Sequence, residues 1–247
     1  MGPAVRYRSV DKAVERVDKW AGDKKLPAGA PGGVGVFVKE PRPGTVKTRL
    51  SPPLTEAEAA AFYRAALEET VERLATGPWR TWLFYAGAEA FFARRFPGLP
   101  RCPQRGNDLG TRMAGALGTL QAEGQPALLV GSDSPDLPLP LVADALRLLR
   151  TADAVAAPAA DGGYVLVGTR KPAPQLFAGI PWSTPEVLAA SRRRAAQLGL
   201  DWRELPGWED VDDWDSLCRL LERSPWCATA GHVRRDLAHH FRNHARG

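Results

Sequence analysis

Pro126-Ala-Leu-Leu-Val-Gly-Ser-Asp-Ser-Pro-Asp136 is the stretch on which the reading of the chain turns. An apolar run as long as a buried strand stops at Gly131 and delivers Asp133 and Asp136 into a Ser/Pro-rich turn that no helix simply continues through. In open α/β sheets ligands bind outside the carboxyl ends of the strands, so Asp133 stands where a metal or nucleotide is expected. An aspartate that only caps the next turn gives the same local sequence; the rest of the chain has to separate the two readings, and Asp136, for which it supplies no matching role, is read as such a cap.

Upstream, Gly35-Val-Phe-Val38 reads as the first core strand and runs into Lys39-Glu-Pro-Arg-Pro-Gly-Thr-Val-Lys-Thr-Arg-Leu50. This loop carries Lys39, Arg42, Lys47 and Arg49, and its prolines together with Gly44 exclude regular structure. Flexible cations and backbone N–H groups directly after a buried strand suit a phosphate cradle, although a solvated loop has the same composition. A Walker A loop is excluded, because Val46 and Pro41 occupy positions where that motif needs glycine.

A capping box at Thr55-Glu-Ala-Glu58 opens a helix over 55–75, with Tyr63, Leu67, Val71 and Leu74 on one face. A strand over 79–86 and a short helix over 89–96 follow, so strand, loop, helix and strand begin a parallel βαβ arrangement. The stretch from Arg105 to Met113 passes from a turn into a helix reaching residue 121. Asn107 or Asp108 serves as its N-cap, and Gly106 and Gly110 allow a flat ligand close to the backbone.

Beyond the opening stretch come a helix over 141–150 and two short strands, 154–157 and 164–167, around the turn Asp161-Gly-Gly163. Trp182-Ser-Thr-Pro-Glu186 announces a helix to residue 198. Asp210-Val-Asp-Asp-Trp-Asp215 then places four carboxylates within six residues at the start of a last helix that ends near 223. Favourable interaction with a helix N-terminus accounts for two of them. The surplus suits a cation, since magnesium is held by one or two carboxylates plus phosphate oxygens and water.

The whole chain sets limits on these readings. With 247 residues, 44% of them hydrophobic and 25% charged, it can bury a sizeable core. No apolar run approaches the ~18–20 residues of a membrane span, and charge rather than an apolar segment follows the N-terminus, so a cytoplasmic location is expected. Cys102, Cys218 and Cys227 lack zinc or redox spacing. All four histidines, His232, His239, His240 and His244, lie near the C-terminus. Histidine triads and metalloprotease zinc motifs are therefore excluded from residues 1–231. The net charge of +5 suits phosphate-bearing small molecules as well as nucleic acid.

Taken as a set, the blocks Lys39, Pro43-Gly-Thr-Val-Lys-Thr-Arg-Leu50, Gly106-Asn-Asp-Leu-Gly-Thr-Arg-Met113, Gly131-Ser-Asp-Ser-Pro135, Asp161-Gly-Gly-Tyr164, Trp182-Ser-Thr184 and Val211-Asp-Asp213 resemble the bacterial DUF2064 family of the nucleotide-diphospho-sugar transferase superfamily. The resemblance runs through about three-quarters of the chain. It implies a Rossmann-like, three-layer α/β/α fold of GT-A type with a mainly parallel mixed sheet. The implied organisation is an appendage and linker over 1–32, the nucleotide-binding transferase domain over 33–223, and a basic His/Arg-rich tail over 224–247.

The resemblance also implies a site. Asp133 and a second carboxylate would hold Mg2+ or Mn2+; the departure at Asp213-Trp214 from the Thr-Pro of relatives leaves both Asp212 and Asp213 open as that second ligand. Lys39, Gly44, Lys47 and Arg49 fall to the phosphates and Leu109-Gly110-Thr111 to the base. Nucleotidyl transfer from a nucleoside triphosphate to a small phosphate or phosphonate acceptor is expected first, because the cationic loop exceeds what a diphosphate sugar needs. Glycosyl transfer from a nucleotide sugar stands second, with Asp161 as the available base. A non-catalytic nucleotide or polyanion binder is third, and nucleic acid is not the expected partner.

Overall fold

The structure, a computed structural model, describes residues 32–123 and 125–244, so the expected N-terminal appendage lies outside the described residues but for Gly32. In chain order the elements are β1 (Gly33–Lys39), α1 (Glu56–Ala75), β2 (Arg80–Ala86), α2 (Glu89–Arg95), β3 (Arg101–Pro103), α3 (Leu109–Leu120), β4 (Ala127–Gly131) and α4 (Leu139–Leu148). They continue as β5 (Ala154–Pro158), β6 (Tyr164–Thr169), α5 (Val187–Gln197), β7 (Trp202–Glu204), α6 (Trp214–Arg223), α7 (Ala228–Asp236) and α8 (Ala238–His244).

The strands make one seven-stranded sheet in the order β3-β2-β1-β4-β6-β5-β7. Only β6 runs against its neighbours, antiparallel to both β4 and β5, and the other pairings are parallel. Alternating side chains divide the core between two faces. Val34, Val36 and Val38 of β1, Leu128 and Val130 of β4, and Val155 and Ala157 of β5 pack with apolar residues of α1, α2 and α4. Trp82, Phe84, Ala127, Leu129, Ala154 and Ala156 pack on the other side with α3 and α5. Strands covered on both faces are apolar throughout, which is why they read as uninterrupted runs. The expected three-layer α/β/α architecture is the one observed.

Besides the edge strands β3 and β7, which the sequence reading did not contain, two segments differ from the expectation. The helix announced at 182–186 starts only at Val187, because these residues instead wrap the Asp161–Gly163 turn. Ser183 adopts a left-handed φ of 63°, Leu188 donates its N–H to the Gly162 carbonyl at 2.9 Å, and a Cβ on Gly162 would sit 2.1 Å from the Pro185 carbonyl oxygen. The second difference is the C-terminal stretch, expected as a basic tail, which folds into α7 and α8. Ala230, Val233 and Leu237 join Leu50, Leu54, Phe62, Val211, Leu217 and Leu220 in a third apolar cluster outside α1. The buried Glu69 carboxylate of α1 receives the Ala228 and Thr229 N–H groups at 3.0 and 2.7 Å, an anion at the start of α7. No helix among the described residues is long and apolar enough to cross a membrane.

Asp136, whose sequence reading was a turn cap, is a buried anchor between this outer layer and the end of β4. It accepts from Arg223 Nε at 2.7 Å, Ser224 Oγ at 2.7 Å and Trp208 Nε1 at 3.3 Å. Burial pushes the carboxyl upwards, but the bonds from Arg223 and Ser224 prevail and hold it below its ordinary 3.8. Asp136→Ala is expected to cost about 2 kcal/mol in urea unfolding at pH 7, the scale of hydrogen bonds to a charged group. A depressed folded-state pKa contributes stability above the unfolded value that fades as pH falls below about 4. The gap between variant and wild type should therefore narrow at pH 3, and an unchanged gap would exclude charge as its source.

Candidate functional site

The site begins where β4 ends. Its last residues lead into Ser132 and Asp133, and the Asp133 carbonyl accepts the Val211 N–H at 2.9 Å. Val211 is fully buried in the third apolar cluster, so the plug and the backbone bond together hold the 210–213 segment beside the β4 turn. From the opposite side comes the basic loop after β1, where Lys47 takes a left-handed conformation with φ 49° and ψ 40°. Its Nζ lies 2.5 Å from Asp133 Oδ1 and 2.8 Å from Asp212 Oδ1.

The Lys47 side chain is 5% exposed, whereas those of Asp133 and Asp212 are 40% and 35% exposed. Burial alone would lower the lysine pKa; the two carboxylates more than compensate and raise it, so the ammonium stays charged. Tyr63 of α1 lies beneath, accepting the Lys39 N–H at 3.0 Å and sharing a 2.8 Å bond with Ser132 Oγ. Burial first and the Asp133 charge second push its phenol up to about 12.

A cleft of about 620 Å3 opens over this pair, and Lys39, Lys47, Arg49, Leu109, Asp133 and Asp212 all line it. The structure thus brings most of the expected residues together. Others have different duties. Gly44, with φ 72°, turns the loop over Glu56 and is not part of the cleft wall. Gly110 admits no flat ligand: a Cβ there would lie 2.4 Å from the Phe177 carbonyl oxygen and 2.8 Å from Trp182 Nε1, so the glycine serves the packing of α3. Thr111 is exposed, and its N–H donates to the N-cap Asp108 at 2.6 Å. Asp213 caps α6, accepting the Ser216 N–H at 2.9 Å, while Asp212 faces Lys47.

Asp161, held by the Gly163 N–H at 2.8 Å, meets Asp210 and Asp212, with one carboxylate oxygen of each within 4.8 Å of the others. Asp210 was not singled out in the sequence, although Asp-Val-Asp around a buried plug is the pattern that turns two carboxylates the same way. Its carboxyl is pushed up to about 6, by burial first and then by Asp212, Asp161 and Asp133. Arg112, also missed, lines the cleft one helical turn from Leu109. A hard divalent cation fits this donor set. Carboxylates converge on a point already held by one positive charge, and no histidine or cysteine lines the cleft among the described residues.

The family model described as an uncharacterized protein conserved in bacteria (DUF2064) matches residues 70–184. A protein from Desulfovibrio desulfuricans G20 classed as a nucleotide-diphospho-sugar transferase is 34% identical, with a TM-score of 0.78 over 85% of this chain and 96% of its own. CMP:2-keto-3-deoxy-manno-octonic acid synthetase complexed with CTP superimposes with a TM-score of 0.52 at 13% identity, over 78% of this chain and 98% of its own. The bifunctional IspDF from Campylobacter jejuni gives 0.54 at 9% identity, over 76% and 53%. The last two likenesses concern the fold alone and bear out the GT-A type architecture. No curated protein matches the chain in sequence.

Lys47 occupies the position a divalent cation would contest. Lys47→Met should tighten Mn2+ binding in the absence of nucleotide on the order of tenfold, about 1.4 kcal/mol, in isothermal titration. Equal or weaker binding in the variant would show that the ammonium and the metal do not compete.

Proposed function

The chain belongs to the bacterial DUF2064 family, and on that premise we propose that it is a nucleotidyltransferase dependent on Mg2+ or Mn2+. It would move a nucleoside monophosphate from a nucleoside triphosphate to a small acceptor bearing a phosphate or phosphonate. The observation that carries this reading is the Lys47 ammonium shared by Asp133 and Asp212 at the mouth of β4, with Lys39, Arg49 and Arg112 along the same cleft. Carboxylates for a cation and several cations for phosphate in one cleft suit a polyphosphate substrate better than a neutral one.

Asp133 and Asp212 would hold the divalent cation, which when bound would neutralise charge on the reacting phosphoryl group and on the departing pyrophosphate. Lys39, Arg49 and, once its carboxylates are otherwise neutralised, Lys47 bind triphosphate oxygens. An acceptor oxygen forms a bond to the α-phosphorus, the bond to the bridging oxygen breaks, and pyrophosphate leaves with the electron pair. An acceptor that is already anionic needs no general base, which agrees with a cleft wall free of histidine.

A second reading, glycosyl transfer from a nucleotide sugar, is favoured by Asp161 and Asp210. Their carboxylates lie beside the residues that would hold the cation, where one of them would take a proton from an acceptor hydroxyl. The classification of the Desulfovibrio protein points the same way.

A thermal-shift panel of nucleoside triphosphates against nucleotide sugars, with and without Mg2+ or Mn2+, separates the readings. A ligand at 100 times its dissociation constant stabilises by about 2.7 kcal/mol. Metal-dependent stabilisation by a triphosphate is expected, and preference for nucleotide sugars over every triphosphate would reverse the order. Asp133→Ala and Asp212→Ala should abolish turnover while the fold persists. Asp213→Ala should cost about 1 kcal/mol of stability through the lost cap and leave turnover nearly intact. Full activity in the Asp212 variant would move the second metal ligand elsewhere.

A further inference from the structure

The residues outside the cleft include a second set of convergent ligand atoms. Glu58, in the first turn of α1, and His239 and His240, in α8, each present one donor, and the three donor atoms lie within 4.8 Å of one another. The Glu58 Oε1 atom is 3.1 Å from His240 Nε2 and 3.2 Å from His239 Nε2. Consecutive residues on a helix ordinarily point apart. Here the two imidazoles lie with centroids 4.0 Å apart and turn their Nε2 edges to the same oxygen.

These distances carry a geometric message. Zinc bonds to imidazole nitrogen and carboxylate oxygen of about 2.0–2.2 Å put neighbouring ligands of a tetrahedral site roughly 3.3 Å apart. Both nitrogen-to-oxygen separations are close to such an edge. The carboxylate is also oriented from behind, because Oε2 accepts from Thr55 N and Thr55 Oγ1 at 2.8 Å each. Outer contacts of this kind hold a ligand in its binding rotamer. Trp214 packs edge-on against the His240 ring at 6.4 Å and restrains it in the same way. The His240 and Glu58 side chains are largely covered and that of His239 is half exposed, which leaves a solvent side for a water ligand.

We propose that Glu58, His239 and His240 form a metal site separate from the cleft, selective for a transition ion such as Zn2+. The two sites divide by ligand chemistry: imidazole favours Zn2+ and its neighbours in the series, whereas a carboxylate-only set favours Mg2+ or Mn2+. The bound ion joins α8 to the start of α1, the helix that supplies Tyr63 to the cleft and Glu69 to α7.

The test uses the full chain stripped with EDTA and titrated calorimetrically with Zn2+, with the visible spectrum of Co2+ as a report on geometry. Three further forms are compared: Asp133→Asn with Asp212→Asn, His239→Ala with His240→Ala, and His239→Gln alone. One Zn2+ per chain is expected in the wild type and in the aspartate variant, with the spectrum of a tetrahedral Co2+ site. Affinity should fall at least tenfold in both histidine variants; the single one keeps the His240 contact to Glu58 and guards against loss of α8 packing. Absence of Zn2+ binding in the wild type overturns the proposal. So does binding that survives both histidine variants, including binding that disappears only with the aspartates.

Discussion

One ammonium group holds the working face of this protein together. Lys47 is buried to 5% exposure, and a charge so placed is tolerable only with its counter-charges in direct contact. Those counter-charges come from two distant parts of the chain, Asp133 at the end of the central strand and Asp212 in the approach to α6. Taking any one of the three away leaves a charge or a carboxylate pair without its partner. The fold must therefore deliver three segments to one point, and much of the outer layer serves that delivery.

The delivery can be traced. Val211 is fixed both by its N–H bond to Asp133 and by apolar contacts with Leu50, Leu54 and Phe62. The same cluster thereby seats the end of the basic loop and the segment that bears Asp212. Asp136 ties the far end of α6 back to the β4 turn through Arg223 and Ser224, and Glu69 ties α7 to α1. The outer helices are thus a brace on the site, although none of their described residues lines the cleft. A site formed by loops needs such a brace, since loops are otherwise the most mobile parts of a domain.

What was legible in the sequence follows from the range of each interaction. Buried strands and the Thr55–Glu58 capping box are local patterns, and the structure has them where they were read. Asp133 and Lys47 were legible because a strand end and a basic loop mark them without knowledge of any partner. Asp136 was misread because its partner Arg223 lies 87 residues away and nothing local announces a buried ion pair. The terminal helices were misread because arginines and histidines outnumber the sparse apolar stripe of Ala230, Val233 and Leu237. Gly110 was assigned to a ligand because a glycine that admits a ligand and one that admits a neighbouring loop have the same sequence.

The distribution of histidine gives the last step. A cleft that must accept polyphosphate with a hard cation gains nothing from imidazole, which would draw softer metals to the same point and lose its acceptor role on protonation. Carboxylates and lysine do the same electrostatic work without that competition. Two of the four histidines, His239 and His240, are found instead where α8 meets α1, on the outer layer that braces the cleft. The two regions are joined through α1, whose first turn bears Glu58 and whose second bears Tyr63 and its bond to Ser132. Order at the outer layer and order at the cleft are therefore properties of one helix, and whatever firms the first favours the geometry of the second.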